Sequence, residues 1–178
     1  MDVGYDAVTA SPALILKESG VSRGSFYSFF ETPEKVLEEL AFQCMQESAA
    51  TLTEGLRPGA HAQWHDVVDV LLRSYADWFD RPLVRELWVG QNLTPPVRAA
   101  DREWVQGVAN LILLSLKAFD PLFTGLTVRQ CLIVVEILER LFQYAYTDEP
   151  NGDPALISET RVVVVQYLSS YAGGIAPQ

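Results

Sequence analysis

The chain is short of the groups that staple or anchor a protein. Only Cys44 and Cys131 of its 178 residues are cysteines. Both fall in apolar, helix-patterned stretches, which speaks against a disulfide scaffold and reads as reduced, buried thiols of a cytoplasmic protein. No run reaches eighteen apolar residues, which excludes a membrane-spanning helix. Met1-Asp2-Val3-Gly4 is not a basic region followed by an apolar one, so a secretory signal is not expected. Basic residues are also scarce. Thirteen Lys and Arg face 23 Asp and Glu, for a net charge of −10. The first forty residues carry three basic groups (Lys17, Arg23, Lys35) and seven acidic ones (Asp2, Asp6, Glu18, Glu31, Glu34, Glu38, Glu39), a balance of −4. That weighs against nucleic-acid binding, which draws its affinity from neutralising phosphates.

Strand signals are nearly absent, while apolar residues recur at three- and four-residue spacings along most of the chain. The fold class is therefore all-α. Ser11-Pro12 opens a short helix to about Glu18, and Gly20 suits the left-handed turn that ends it. Ser22 caps a second short helix, residues 23–29, and the pair has the layout of a helix-turn-helix. Thr32-Pro33 starts a longer amphipathic helix that ends near Gly55. Leu56-Arg57-Pro58-Gly59 reads as a linker, giving an expected division into residues 1–55 and 56–178. The second part reads as five helices: about His61 to Asp80, Pro82 to Gln91, Pro95 to Phe119, Thr127 to Thr147, and Pro154 to Ala172. Val162-Val163-Val164-Val165 favours strand by propensity, but it has no partner strand and is assigned to the last helix.

Residues 20–37 read GVSRGSFYSFFETPEKVL. Phe26 and Phe30, four apart, can hold the second helix against the first. Arg23, Ser25, Tyr27 and Ser28 are then free to face outward. Arg23 suits a guanine edge, hydroxyls of Ser22, Ser25 and Tyr27 suit phosphates or bases, and Gly24 permits close backbone approach. The segment resembles the helix-turn-helix of the tetracycline-repressor (TetR) family, with Gly20, Val21, Ser22, Gly24, Tyr27 and Phe30 in matching places. The resemblance implies a one-component regulator, a repressor binding palindromic operator DNA as a dimer. It places base contacts at Arg23 and Ser25 and a phosphate contact at Tyr27. Ser22, Gly24, Ser28 and Lys35 complete the candidate DNA-binding set. The chain departs from the pattern at Phe29, where the family has Tyr or His, and at Pro33, where it often has Lys. Gly4-Tyr5 resembles the pair that ends the family's first helix, so most of that helix is expected to be missing. A late-assigned start, a trimmed chain and a natural loss of DNA binding are the three explanations.

All four tryptophans lie beyond the linker, in an aromatic-rich set of helices. Each ring alone reads as core, but several large rings among helices of mixed length make room for a ligand. Tyr75, Trp78, Trp88, Gln91, Trp104, Val108, Leu111 and Phe142 are the candidate lining, for a small apolar or aromatic effector such as the resemblance implies. The last two long helices carry two apolar faces each, which suggests one for the core and one for a second copy. Val135, Leu138, Val164, Leu168 and Tyr171 are the candidate interface of the homodimer.

Other chemistry is thinner. His61, His65 and Asp69, at four-residue steps, share donor types with zinc sites but read better as a solvated first turn. Glu136 and Arg140 read as a partly buried structural pair. No nucleophile motif or phosphate loop is present, and neither an enzyme nor a cofactor is expected. Two alternatives remain open: a TetR-like dimeric sensor that has lost DNA binding, and a helical protein-interaction module.

Overall fold

The computed structural model describes residues 11–173, which form eight helices and no strand. They are α1 (Ala13–Ser19), α2 (Arg23–Phe29), α3 (Pro33–Gly55), α4 (Trp64–Phe79), α5 (Pro82–Val84), α6 (Pro95–Lys117), α7 (Val128–Ala145) and α8 (Pro154–Ser169). A π-helical turn, Arg85–Val89, prolongs α5. Gly4-Tyr5 lies outside the described residues. No described helix is long and apolar enough to cross a membrane.

Local chemistry sets the boundaries. Gly20 ends α1 at φ 69°, where a side chain would be strained, and its N–H donates to Leu16 O. Ser22 caps α2, its Oγ accepting from Ser25 N at 3.1 Å. Pro33, Pro82, Pro95 and Pro154 each sit in a first turn, where a missing N–H leaves no bond unmade. Asp153 caps α8 by accepting from Ala155 N and Leu156 N. Gly152, before it, sits at φ 74°, and a Cβ there would lie 2.7 Å from the Tyr146 ring. The turn between α7 and α8 is therefore closed to any larger residue.

Helix α4 begins at Trp64, three residues later than its pattern suggests, because Gln63 and Asp66 form a reciprocal capping box. That leaves His61 outside the helix, its Nε2 2.7 Å from Gly55 O. Asp69 pairs with Arg161 of α8 at 2.7 Å. The two histidines and Asp69 thus do not share one helix face. The Glu136–Arg140 pair is also absent: both residues are exposed, and Arg140 Nη1 reaches Gln143 instead.

The core lies where α4, α6, α7 and α8 meet. Phe79, Phe142 and Tyr146 stack within it, at centroid distances of 5.7–6.4 Å. Tyr146 Oη donates to Asp80 Oδ1 at 2.8 Å, so the one polar tip in that stack is satisfied. The four-valine run stays helical because Val164 is fully buried against the bundle while Val162 and Val163 face outward. Tertiary packing overrides strand propensity there. Cys131 is buried and Cys44 half-buried, both free. Burial pushes the Cys131 thiol up to about 12 and leaves it protonated.

Helix α3 is the bridge between the two ends of the molecule. Its Ala41, Met45 and Leu52 pack into the core through α4 and α6, and its N-terminus follows α2 in the chain after the Phe30–Thr32 turn.

Candidate functional site

Helix α2 is held from beneath by Phe26, which is buried and in contact with Phe30 at 5.8 Å between centroids. This fixes which residues face out. Arg23, Gly24, Ser25, Tyr27 and Ser28 are all exposed, and Arg23 forms no ion pair or hydrogen bond among the described residues. The serines are partly committed. Ser22 Oγ caps the helix and donates to Ser25 Oγ, and Ser28 Oγ donates to Ser25 O at 2.6 Å. Lys35 is exposed, but its ammonium is 2.6 Å from Glu38 Oε2. Among the described residues, the Arg23 guanidinium and the Tyr27 hydroxyl of the outward face are left without a partner. Behind α2 lies an open apolar groove of about 570 Å³, between Ile15, Val21, Phe26, Phe29, Phe30 and Val36. Phe29 stands on its rim, 82% exposed.

The second cluster lies in the bundle. Asp101, Trp104, Val108 and Leu111 follow one another at helical spacing along one face of α6. Opposite them stand Tyr75 and Trp78 of α4, Glu139 and Phe142 of α7, and Trp88 from the π-helical turn. Trp78 stacks on Trp104 at 5.8 Å and meets Trp88 edge-on at 5.0 Å. Tyr75 lies 6.2 Å from Trp104 and 5.6 Å from Phe142. Seven of the eight candidate lining residues therefore fall in or beside one cluster. Gln91 does not. It sits exposed at φ 57° in the turn after Gly90, a left-handed position that directs it away from the bundle interior.

Two acidic residues that sequence reasoning passed over belong to this cluster. Asp101 Oδ1 accepts from Trp88 Nε1 at 2.9 Å. Burial raises its carboxyl, against the pull of that hydrogen bond and of Arg102 and Arg98. Glu139 is pushed up to about 7, first by burial and then by the charges of Asp101 and Glu136. Among the described residues its hydrogen-bond partner is Gln143 Nε2, at 3.0 Å. Tyr75 is raised well above its ordinary value by burial, with Glu139, Asp101 and Glu136 adding to the effect. The Tyr75 hydroxyl and the Trp104 indole N–H are buried without a hydrogen-bond partner. A usable signal was present in the sequence: each acid sits three residues before a ring, at Asp101/Trp104 and Glu139/Phe142, which puts it on the apolar face.

The candidate dimer residues need correction. Val135, Leu138, Val164 and Leu168 are fully buried within the protomer, where they join α7 and α8 to α4 and so cannot meet a second chain. Tyr171 is half-buried and lies 5.4 Å from the Tyr167 ring. The other faces of the same two helices are open, with Ile133 (42% exposed) and Tyr144 (66%) on α7 and Val162 and Val163 on α8. Each helix has two apolar faces, and the more continuous one turns inward.

Residues 62–172 match the family described as "Tetracyclin repressor-like, C-terminal domain". No curated protein matches the chain. The crystal structure of a TetR-family transcriptional regulator from Streptomyces coelicolor is similar in fold, with a TM-score of 0.63 at 24% sequence identity, over 96% of this chain and 91% of that one.

Proposed function

The chain belongs to the tetracycline-repressor-like family, whose members are transcription regulators and not enzymes, and from that premise we propose that it is a cytoplasmic repressor which binds palindromic operator DNA as a dimer and releases it when a small effector enters the helical bundle. The observation that carries this reading is the outward face of α2, where Arg23 and Tyr27 stand exposed over a helix anchored by Phe26. Arg23 reads a base edge in the major groove. Tyr27, Ser22, Ser25, Ser28 and the backbone at Gly24 hold phosphates and set the register. Residues 1–55 form the DNA-binding part and residues 56–178 the effector-binding and dimerising part. The second copy docks on the exposed faces of α7 and α8, around Ile133, Tyr144, Val162 and Val163.

A chain of contacts runs from the aromatic cluster to α3, which follows α2 in the chain. Trp88 lies on the π-helical turn and is tied to Asp101. Arg85 Nη1, on the same turn, donates to Phe79 O and Asp80 O and so fixes the corner after α4. At that corner Arg81 pairs with Glu47 of α3 at 2.8 Å. A ligand that displaces Trp88 would move this corner, and α3 would carry α2 with it.

A second reading is favoured by the charge balance: with a net charge of −10 and Lys35 tied to Glu38, the chain is a dimeric sensor without DNA affinity. One titration separates the two. DNA from upstream of the chain's own gene is titrated at low and moderate salt, in parallel with a chain extended upstream by the preceding codons. The repressor reading expects saturable binding by at least one form, weakening steeply with salt as phosphate contacts are lost. Binding by neither form favours the sensor.

A further inference from the structure

We propose that the effector taken up by the aromatic cluster carries a positive charge, an ammonium or similar cation on an aromatic or apolar body, held between the rings of Trp78, Trp88 and Trp104 and the carboxylates of Asp101 and Glu139. This inference rests on the effector-binding reading of the bundle and adds its charge class.

Three observations converge on it. The first is an excess of negative charge in an apolar place. Asp101 from α6 and Glu139 from α7, both half-buried beside the rings, act on the fully enclosed Tyr75, and Glu136 adds to them from the exposed side of α7. Arg98 and Arg102 act on Asp101 from its own helix, yet neither Asp101 nor Glu139 forms an ion pair among the described residues. Buried carboxylates are costly unless a cation or several donors meet them. Here Asp101 has one indole N–H and Glu139 one amide.

The second is ring geometry. Trp78 stacks on Trp104 with an interplanar angle of 18°, and Trp88 meets Trp78 at 76°. Trp78 and Trp88 are only 5% and 4% exposed, so the rings pack on one another, and a guest must part them to lie between their faces and edges. Indole faces are the best aromatic partners of a cation. A cation also satisfies the acids, which an uncharged guest does not.

The third is independent of charge. The Tyr75 hydroxyl and the Trp104 N–H are buried and unpartnered, although polar groups in a finished core are nearly always paired. A guest with an acceptor beside its cationic centre satisfies both. Sequence reading alone gave an apolar or aromatic effector; the two acids change its charge class.

The test uses three probes with the same ring and head groups of similar size: phenyltrimethylammonium, tert-butylbenzene and benzenesulfonate. Tryptophan fluorescence of the full chain is titrated with each at pH 7.5. The cation is expected to bind at least about tenfold more tightly than the neutral probe, and the anion more weakly than either. The double variant Asp101→Asn with Glu139→Gln should erase the cation's advantage while still binding the neutral probe. Calorimetry of the unaltered chain in two buffers of different ionisation enthalpy is a second readout. Cation binding near pH 7 should release protons as Glu139 ionises beside the charge, and the neutral probe should release none. Equal binding of cation and neutral probe, or an advantage that survives in the double variant, overturns the charge assignment and leaves an effector site in place. Quenching by none of the three overturns the cation site as well. The effector reading itself falls only if no compound, charged or neutral, releases the chain from its operator.

Discussion

Glu139→Gln should make the chain much more stable at pH 8 and only slightly more stable at pH 5. In the folded chain the Glu139 carboxyl is held up to about 7 by burial and by the neighbouring Asp101 and Glu136, against an ordinary value of 4.5. Below pH 4.5 it is protonated whether the chain is folded or not, so it imposes no penalty. Between 4.5 and about 7 only the folded chain keeps the proton, and each rise in pH favours unfolding. Above 7 the group is ionised in both states, and the folded chain bears the whole cost of a carboxylate in an apolar seam. That cost is about 3 kcal/mol from the two ionisation ranges. Glutamine fills the same volume and keeps a polar contact to Gln143 without charge. Urea unfolding followed by far-UV circular dichroism at pH 5, 6, 7 and 8 reads the difference. At a slope of about 1–3 kcal/mol per molar urea, the variant's midpoint should exceed the native one by about 1 M or more at pH 8 and by only about a quarter as much at pH 5. Parallel stability profiles for the two chains would refute the reasoning, because they would mean that Glu139 is solvated.

Three further outcomes are expected. Val163→Asp and Ile133→Asp, on the open faces of α8 and α7, should give folded monomers in sedimentation; Leu168→Asp, fully buried, should instead unfold the chain, a loss above about 4 kcal/mol that circular dichroism detects. Arg81→Ala removes the Glu47 pair between the α4 corner and α3, and should leave the effector's affinity within about twofold while reducing its effect on operator affinity, a coupling commonly about 5–150-fold, toward none in an anisotropy assay. Arg23→Ala should cost about 1–3 kcal/mol on the preferred operator and relax discrimination at one base pair, and unchanged binding across operator variants would remove Arg23 from base reading.

The helices were legible in the sequence because their signals are local. Ser22 as a cap, Gly20 as a left-handed stop, and prolines in first turns act within four residues of themselves, and each performs that role in the structure except Pro12, which stands one place earlier, as the N-cap of α1. The start of α4 was not legible in the apolar spacing, since it is set by the Gln63–Asp66 box rather than by Trp64 and its followers. The inward face of α7 was ambiguous for a different reason. Val135 and Leu138 on one side and Ile133, Ile137 and Leu141 on the other are equally apolar, and periodicity cannot rank two apolar stripes. The choice is made by Phe79 and Tyr146, whose stack with Phe142 turns that side of α7 toward α4.

The candidate site divides along the same line. Its rings could be named from sequence because large aromatic residues at helical spacing are buried almost whatever the topology. Its acids carried a weaker signal, their three-residue spacing from Trp104 and Phe142, because an Asp or Glu in a helix is most often solvated and its burial depends on which helices come to face it. Asp101 becomes part of the site only because the π-helical turn brings Trp88 within 2.9 Å of it. Such a turn inserts one extra residue per hydrogen-bonded ring, and that extra residue rotates the side chains around it. With a regular α-helical turn after α5, Trp88 would point elsewhere and Asp101 would lose its donor. The same irregularity therefore builds the acidic wall of the cluster and, through Arg85 and Arg81, holds the corner against α3. A guest that competes for Asp101 would act on an element tied both to Asp101 and to that corner, so the charge of a guest and the route of its signal are one question here.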